Sequence, residues 1–274
     1  MDKPVIHIKP PSSISLGFKE LWQYRELFYF FTWRDIKVKY KQTYLGILWA
    51  LLQPLAMMLI FTFLFSKTWP INTGLIKYPV FVLSGLICWN LFSSSVSHAG
   101  DSMVQNANII KKIYFPRLII PCSAMLVALF DFIIAFIIFI PLCFILKQPL
   151  HWTAALYFPA GILLCLLSAA GLSFFLAALN VKFRDFRYAL PFLLQVLFFA
   201  SQVIYPLASV HSSLFKYLLS INPVNAVIEL FRGPLSDAAP DMTVITIGIC
   251  SSMVLLIIGL FYFRKTEAYF ADIA

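Results

Sequence analysis

The sequence predicts an all-α membrane protein with six transmembrane helices, an amphipathic helix before the first span and short re-entrant helices before the last. Of its 274 residues, 61% are hydrophobic and 12% are charged, whereas about 25% of a soluble domain is charged. The apolar residues form six runs of about 20 residues, the length that crosses a hydrocarbon core of about 30 Å. Sixteen of the 21 Lys and Arg residues fall on one side if these runs alternate in direction, as the positive-inside rule requires.

The region 1–43 precedes the spans and has two parts. Residues 1–15 are polar and rich in proline, which predicts an arm without regular structure. Residues 16–41 combine a charged helical stripe with apolar residues opposite and with tryptophan and tyrosine rings beside it, which is typical of a helix among lipid headgroups. Its basic end either binds phosphate groups or only anchors the chain to the cytoplasmic face. The candidate phosphate ligands are Arg34, Lys37, Lys39 and Lys41.

The transmembrane domain, 44–274, carries the six predicted spans. Both termini are expected in the cytoplasm, because the number of spans is even and most basic residues then lie inside. The stretch at 208–242 is apolar enough to suggest a seventh span, but Asn222-Pro223 interrupts it. Lys216 and Glu229 lie in its two halves, so we expect two half-helices that enter and leave the same membrane face. The six spans cover about residues 44–65, 79–99, 118–146, 154–179, 188–207 and 243–263.

The loop between spans 2 and 3, at about 101–117, is longer than a simple connection needs. Its apolar residues recur at helical spacing, and its amide and lysine side chains fall on the other side. Pro116 ends the pattern, because proline lacks a backbone N–H and clashes with the preceding turn. A short amphipathic helix is therefore predicted, which either contacts a partner at the membrane surface or only lies among the headgroups.

The sequence lacks the motifs of common enzymes and nucleotide-binding sites. It has no GxxxxGK[ST] phosphate loop, no HExxH, no CxxC and no GxSxG, so we predict no catalytic residue, metal ligand or cofactor in this chain. The five cysteines are scattered in apolar runs, which argues against a disulfide framework. The net charge of +9 fits anionic lipid rather than nucleic acid. Asp131 is the one acid well inside a span, and no span offers a Lys or Arg partner at that depth. We expect it to be either protonated or bonded to Ser or Asn of a neighbouring helix, in a structural role or as a proton relay.

Two spans carry polar and aromatic residues on one helical face. In span 5 these residues recur at intervals of three and four, and in span 1 they recur every four residues. Amides can bond sugar hydroxyls and aromatic rings can pack on sugar C–H surfaces, so these faces suit the path of a hydroxylated substrate. The alternative is packing between spans, because glutamine side chains also bond across helices. The candidate lining residues are Trp49, Gln53, Gln195, Phe198, Phe199, Gln202 and Tyr205.

Four segments together resemble the type-2 ABC exporter permeases for cell-surface polysaccharides. They are WRDIKVKYKQTYLGILWALLQPL at 33–55, NIIKKIYFPRLIIP at 108–121, LNVKFRDFRYALPFLLQ at 179–195 and INPVNAVIELFR at 221–232. O-antigen export permeases fit best, and capsule and teichoic acid export permeases are near relatives. The resemblance extends over nearly the whole chain from about residue 22, and the segment at 108–121 is its most specific part.

The resemblance implies a type-2 ABC exporter fold in the bacterial inner membrane. Two permease copies would form a channel lined by spans 1 and 5, and a separate cytoplasmic ABC ATPase dimer would bind ATP and Mg²⁺. A polyprenyl-diphosphate-linked polysaccharide, most of all an O-antigen, would present its diphosphate to the basic residues at 34–41 and slide outward past the lining residues. A groove of the ATPase would receive the helix between spans 2 and 3. The coupling residues implied there are Asn106, Asn108, Lys111, Lys112, Tyr114 and Arg117.

Three other functions stay open as alternatives. An enzyme acting on glycolipids would want paired acids in a loop for a metal or a base, and the acids here are scattered. An ion-coupled flippase would want several ionisable groups at depth and usually an internal repeat, and this sequence has one such acid and no repeat. Among ABC exporters, export of a small lipid or drug is the nearest competitor to polysaccharide export.

Overall fold

The computed structural model describes residues 18–41, 46–67, 73–183, 185–210, 212–236 and 239–267. The predicted arm at 1–15, the start of the predicted first span and residues 268–274 lie outside these ranges. Within them every regular element is a helix, as the sequence predicts. The α-helices are α1 (Phe18–Gln23), α2 (Arg25–Lys41), α3 (Leu48–Lys67), α4 (Tyr78–Gln105), α5 (Ala107–Ile110), α6 (Ile119–Ile145), α7 (Ala154–Lys182), α8 (Phe186–Phe199), α9 (Ser213–Ser220), α10 (Pro223–Arg232) and α11 (Met242–Glu267).

Four long helices, α4, α6, α7 and α11, form the packed centre of the molecule. The first half of α4 is buried on every side, from Val80 to Trp89, which fits its apolar character all around the helix. Helices α6 and α7 cover α4, and α11 packs against α7. The direction of these helices defines two ends of the bundle. The α2 end carries α1, α2, α5 and the C-termini of α4, α7 and α11, and the α10 end carries α9 and α10.

Helices α7 and α11 approach each other closely because small residues face each other. A Cβ atom added to Gly171 would lie 2.5 Å from the backbone carbonyl carbon of Leu255, so only glycine fits there without a shift of the backbone. One turn earlier, the hydroxyls of Ser168 and Ser252 are 3.0 Å apart. Small residues allow the backbone approach and dispersion contact on which helix association in lipid depends.

Helix α2 lies alongside the first half of α6. Phe31 packs against Phe115 with ring centroids 5.8 Å apart, and Tyr40 packs against Phe130 at 6.0 Å. The helix predicted over 16–41 is thus present as the two pieces α1 and α2. Its C-terminal end reaches well along α6, which brings basic residues of α2 close to a long apolar helix.

Five helices are long and apolar enough to cross a membrane: α3, α4, α6, α7 and α11. The pair α9–α10 would make a sixth if it were counted as one bent span, and its two halves meet at 97°. The break lies at Asn222, whose side-chain oxygen accepts from the Val224 N–H at 3.2 Å and so caps α10. The predicted interruption at Asn222-Pro223 is therefore confirmed.

The predicted fifth span is wrong in its extent. Helix α8 ends at Phe199, whereas the prediction continues to 207. Its 14 residues extend about 21 Å at 1.5 Å per residue, which is less than the ~30 Å of a hydrocarbon core. The backbone turns after α8 because side chains of α10 satisfy its carbonyls. Asn225 donates to the Ala200 carbonyl and Arg232 donates to the Val203 carbonyl, both at 3.1 Å.

The single helix predicted over 101–117 is also wrong in its extent. Helix α4 continues to Gln105, the separate helix α5 has only four residues, and the chain then turns back to α6. Ile110 and Phe115 are both buried although residues five apart point to different faces of an ideal helix. A turn buries both side chains, which one straight helix could not do.

Candidate functional site

Helices α3 and α8 lie on one side of the bundle, and much of their apolar surface there is exposed. Only 11% of the apolar stretch of α3 is buried within the chain, and Trp49 and Phe63 are exposed there. Helix α8 exposes Tyr188 and Phe192 in the same way. These two helices therefore present large faces that the described part of the chain does not cover itself.

The α3–α8 groove is a space of about 250 Å³ between these two helices, with α4 as its floor. Gln53 of α3 and Gln195 of α8 both line it, so two residues that the sequence predicts to line a path converge here. Phe198 also lines the groove and packs edge-to-face on Trp89 of α4, with centroids 5.4 Å apart. Asn90 of α4 adds a further amide to the floor.

Three more predicted lining residues lie at the ends of α3 and α8. Trp49 and Phe199 are 56% and 62% exposed, so both are available to contact a ligand or a second chain. Tyr205 follows α8 and donates its hydroxyl to the Phe199 carbonyl at 2.9 Å. The Tyr205 side chain thereby satisfies a backbone carbonyl at the C-terminal end of α8, so this contact stabilises the fold.

Gln202 is a correction to the sequence prediction. Its side chain is 2% exposed, and its Nε2 donates to the Asn225 carbonyl at 2.7 Å and to the Glu229 carboxylate at 3.0 Å. Gln202 does not line the α3–α8 groove; it lies instead at the edge of a separate space of about 240 Å³ beside α10. It bonds the turn after α8 to α10, which is the packing role that glutamine can take between membrane helices.

A second space, the clasp cavity, lies where α2, α3, α4 and α6 meet and has a volume of about 300 Å³. Three of its residues also line the α3–α8 groove, so the two spaces adjoin. The shared residues are Gln53, Asn90 and Ser93. The polar residues that line the clasp cavity are Lys39, Tyr40, Gln53, Asn90, Ser93, Ser94 and Asp131.

Asp131 of α6 is held by two residues of α2, an arrangement that we call the clasp. One carboxylate oxygen accepts from the Lys39 ammonium group, and the other accepts from the Tyr40 hydroxyl. No span supplies this basic partner; it comes from α2, which the sequence prediction did not consider as its source. Burial and the hydrogen bond to Asp131 raise the pKa of the Tyr40 phenol.

The other predicted phosphate ligands differ in whether their positive charge is paired with an acidic side chain. Arg34 pairs with Asp35 at 2.7 Å and donates to the Asn106 side-chain oxygen at 2.9 Å, so it joins α2 to the end of α4. Lys37 and Lys41 are exposed. Neither forms an ion pair or a side-chain hydrogen bond with the described residues. The ring centre of Trp33 lies 5.2 Å from the Lys37 ammonium.

The turn after α5 forms an exposed coupling surface at the α2 end, made of Lys111, Lys112, Ile113 and Tyr114. Ile113 and Tyr114 are 61% and 67% exposed, while the buried Phe115 anchors the turn from below. Exposed aliphatic and aromatic side chains beside lysines are features of a protein-binding surface, because aromatic anchors carry much of the energy of such contacts.

The remaining predicted coupling residues lie around this surface. Asn108 is exposed. Asn106 bonds Arg34 of α2, and the Arg117 guanidinium donates to the backbone carbonyl of Glu267 at the end of α11. Asn106 and Arg117 therefore connect the coupling surface to two other helices.

Residues 26–235 match the family model described as ABC-2 type transporter. The chain belongs to the ABC-2 transporter family. The match extends from α2 beyond the end of α10, so both cavities, the clasp and the coupling surface lie within it. This chain is accordingly a transporter permease and not an enzyme.

Named relatives of this ABC-2 permease cover most of its length. The O-antigen export system permease protein RfbA of Myxococcus xanthus is 30% identical over 260 residues, which is 93% of this chain and 97% of the relative. An O-antigen export system permease protein RfbA of Klebsiella pneumoniae is 27% identical over 88% of this chain and 92% of its own. The polysialic acid transport protein KpsM of Escherichia coli is 30% identical over 73% of this chain and 77% of its own.

The sequence prediction missed the polar residues of α4 that line the clasp cavity, two of which, Asn90 and Ser93, also line the α3–α8 groove. Asn90, Ser93 and Ser94 follow one another at i, i+3 and i+4, which puts them on one helical face. That spacing was a usable signal within an apolar span. The clasp offered no comparable signal, because Lys39 and Asp131 are far apart in the sequence and on separate helices.

Proposed function

We propose that this permease is the transmembrane subunit of an ATP-driven exporter that moves a polyprenyl-diphosphate-linked polysaccharide across the bacterial inner membrane. Two of the relatives above are named for O-antigen export and the third for polysialic acid transport, so a cell-surface polysaccharide is the substrate class that they favour. O-antigen is the preferred candidate. The α2 end would then be cytoplasmic, which agrees with the concentration of Lys and Arg at that end.

The α3–α8 groove is the observation that carries this proposal. It offers the amides of Gln53 and Gln195 and the ring of Phe198 on a side of the bundle that the chain leaves open. Two such sides from two copies would enclose a path with polar and aromatic walls. Amides exchange hydrogen bonds with sugar hydroxyls, and a flat ring supports a sugar C–H surface without fixing its position. A polymer can therefore slide along such walls.

Energy would come from a separate ABC ATPase dimer that binds ATP and Mg²⁺, since this sequence has no phosphate loop. The coupling surface would dock on that ATPase through Lys111, Lys112 and Tyr114. Asn106 and Arg117 flank the surface and bond α2 and the end of α11. A push on the coupling surface would thus be transmitted to the helix that carries the clasp.

The proposal is tested with permease and ATPase reconstituted in vesicles, by measuring ATP hydrolysis and substrate transfer in parallel. We expect the double variant Lys111→Glu with Lys112→Glu to lose transfer, because like or mismatched charges at a docking surface disrupt association. The matched control is Lys182→Glu with Lys265→Glu, which changes two exposed lysines at the same end but outside the coupling surface. The control should transfer substrate at the wild-type rate.

Equal transfer by both double variants would contradict the coupling assignment. Transfer of a small lipid or drug in place of a diphosphate-linked glycan, by an otherwise active complex, would keep the ABC exporter class and contradict the polysaccharide substrate.

A further inference from the structure

We propose that the clasp cavity is a binding site for one uncharged sugar residue and that Asp131 accepts hydrogen bonds from its hydroxyls. This proposal rests on the proposed function, since it assigns a specific site to one unit of the exported glycan. The cavity lies between α2 and the α3–α8 groove, so a sugar bound in it would lie at the α2 side of the path.

The first argument is unused hydrogen-bonding capacity. About half of the serine and threonine hydroxyls in the described helices bond a carbonyl of the preceding turn, as Ser84, Ser102 and Ser123 do. Ser93 and Ser94 have no such bond, and none of their side-chain atoms bonds any described residue. The side chains of Gln53 and Asn90 are likewise without a partner in the part of the chain that the structure describes. Four groups that can both donate and accept therefore face one cavity.

The second argument is charge. Lys39 and Asp131 are the charged residues that line the cavity, and they pair with each other, so the cavity is neutral as a whole. A diphosphate with two or three negative charges would have to displace Asp131 or lie beside it, and burying an unpaired charge is costly. A sugar carries many hydroxyls and no charge, and it can use the donors and acceptors without breaking the ion pair.

The third argument is that the Asp131 carboxylate can accept more hydrogen bonds than the clasp uses. A carboxylate has about four acceptor positions, and the clasp uses one at each oxygen. The side chain is 19% exposed and lines the cavity, so further acceptor positions remain open to a ligand. Two neighbouring sugar hydroxyls match the spacing of two carboxylate oxygens. The Lys39 ammonium has donors left for a third hydroxyl or for the ring oxygen.

The fourth argument is size. Sites for drug-sized ligands measure about 300–1,000 Å³, and the clasp cavity, at about 300 Å³, stands at the lower limit, where one monosaccharide fits. The Trp49 side chain lines the same cavity and can cover one face of the ring. The opening toward the groove leaves a way out for the rest of the chain.

The test is saturation-transfer difference NMR on the purified full-length permease, without the ATPase. The probes are methyl glycosides of common hexoses, with inorganic pyrophosphate as a competitor. We expect at least one glycoside to bind in the millimolar range and pyrophosphate to leave its signal unchanged. Ser94→Leu fills the clasp cavity without reaching the α3–α8 groove and should abolish the signal. Asp131→Asn, which removes the charged acceptor, should weaken binding about tenfold.

Two matched controls separate the site from general damage. Ser97→Leu makes the same change one turn further along α4 at a residue that lines neither cavity. Asp101→Asn makes the same change at an acid that lies 3.9 Å from the Arg187 guanidinium outside the cavity. Both should bind glycosides as the wild type does, and each variant's thermal midpoint shows that it is folded.

Three results would overturn the proposal: no glycoside binding to the wild type, wild-type binding by folded Ser94→Leu, or competition by pyrophosphate. The outcome is separable from that of the proposed function. Glycan transfer by the reconstituted complex without glycoside binding at this cavity would leave the exporter and remove the site. Glycoside binding at this cavity without any glycan transfer would support the sugar site and contradict the proposed export function.

Discussion

The same substitution at two glutamines of one segment should have opposite consequences. Gln195 lines the α3–α8 groove and is exposed, whereas Gln202 is buried and bonds α10. We expect Gln195→Leu to leave the stability of the permease unchanged and to slow substrate transfer. We expect Gln202→Leu to lower stability first, with any loss of transfer following from the loss of folded protein.

The magnitude for Gln202→Leu follows from the bonds that leucine cannot make. Two Nε2 bonds are lost, at 2.7 and 3.0 Å, and hydrogen bonds between membrane helices average about 0.6 kcal/mol each. The bond that Gln202 Oε1 accepts from the Leu207 N–H is also lost, but at 3.5 Å it is too long to add much. The Glu229 oxygen that accepts from Nε2 loses this donor, which adds about 1–3 kcal/mol. The backbone bond from the Gln202 N–H to Asn225 at 2.6 Å survives the substitution. The expected loss is therefore about 2–4 kcal/mol.

The assay compares both variants in the same detergent, with reversible unfolding for stability and vesicle transfer for function. Transfer is expressed per folded permease, so that instability cannot pass for a transport defect. Wild-type stability of Gln202→Leu together with slow transfer would refute the reasoning and return Gln202 to the walls of the path. Transfer at the wild-type rate by Gln195→Leu would instead show that the Gln195 amide in the α3–α8 groove takes no part in transport.

Two further predictions concern stability. Gly171→Ala should destabilise the permease by several kcal/mol, since its Cβ would meet the Leu255 backbone at 2.5 Å. Gly233→Ala should cost much less, because its Cβ would meet side chains alone, the Tyr157 ring at 3.3 Å and Pro240 Cγ at 3.5 Å. Equal unfolding midpoints would contradict the close packing of α7 and α11. Asp241 bonds Lys216 at 2.6 Å, and this hydrogen bond lowers its pKa below the usual 3.8, so Asp241→Asn should cost up to about 1 kcal/mol at neutral pH. Because the pKa is lowered on folding, that cost is complete above the usual carboxyl pKa and disappears as the pH falls through the lowered value; a difference that persists in strong acid would exclude the ion pair as its cause.

Hydropathy predicted α3, α6, α7 and α11 to within a few residues, and α4 except for its last six, because long apolar runs need only one kind of neighbour, lipid or another apolar helix. It failed after Phe199 because the backbone there leaves the helix and bonds elsewhere. Asn225 and Arg232, which supply those bonds, lie some 25 and 30 residues further along the chain. No sequence pattern near Ala200 and Val203 indicates that such donors are present. Hydropathy therefore predicts one span for an apolar run that forms a short helix and a turn.

The candidate site was predictable to a similar degree. Periodicity placed Gln53 and Gln195 each on the polar face of its own helix. That these two faces line one path was implied only by the family resemblance, and the structure shows that they converge. The partner of Asp131 was not predictable in this way. It depends on α2 packing along α6, and the amphipathic pattern of 16–41 is equally typical of a helix that lies among headgroups. The contact between two helices, and not the pattern of either, decides that Lys39 meets Asp131.

The clasp constrains how a charged headgroup can approach the permease. Lys39 is neutralised by Asp131 and Arg34 is paired with Asp35, so neither offers a full positive charge to a ligand. Lys37 and Lys41 are exposed and lie at i and i+4, on one face of α2. On the proposed function, a diphosphate would bind along this outer face, and the neutral sugar next to it would be the first unit to reach the clasp cavity. The charged diphosphate would then bind on one side of α2 and the neutral sugar on the other. The polymer path would therefore need no strong anion site of its own, and no sugar would be bound so tightly that the polymer stops sliding.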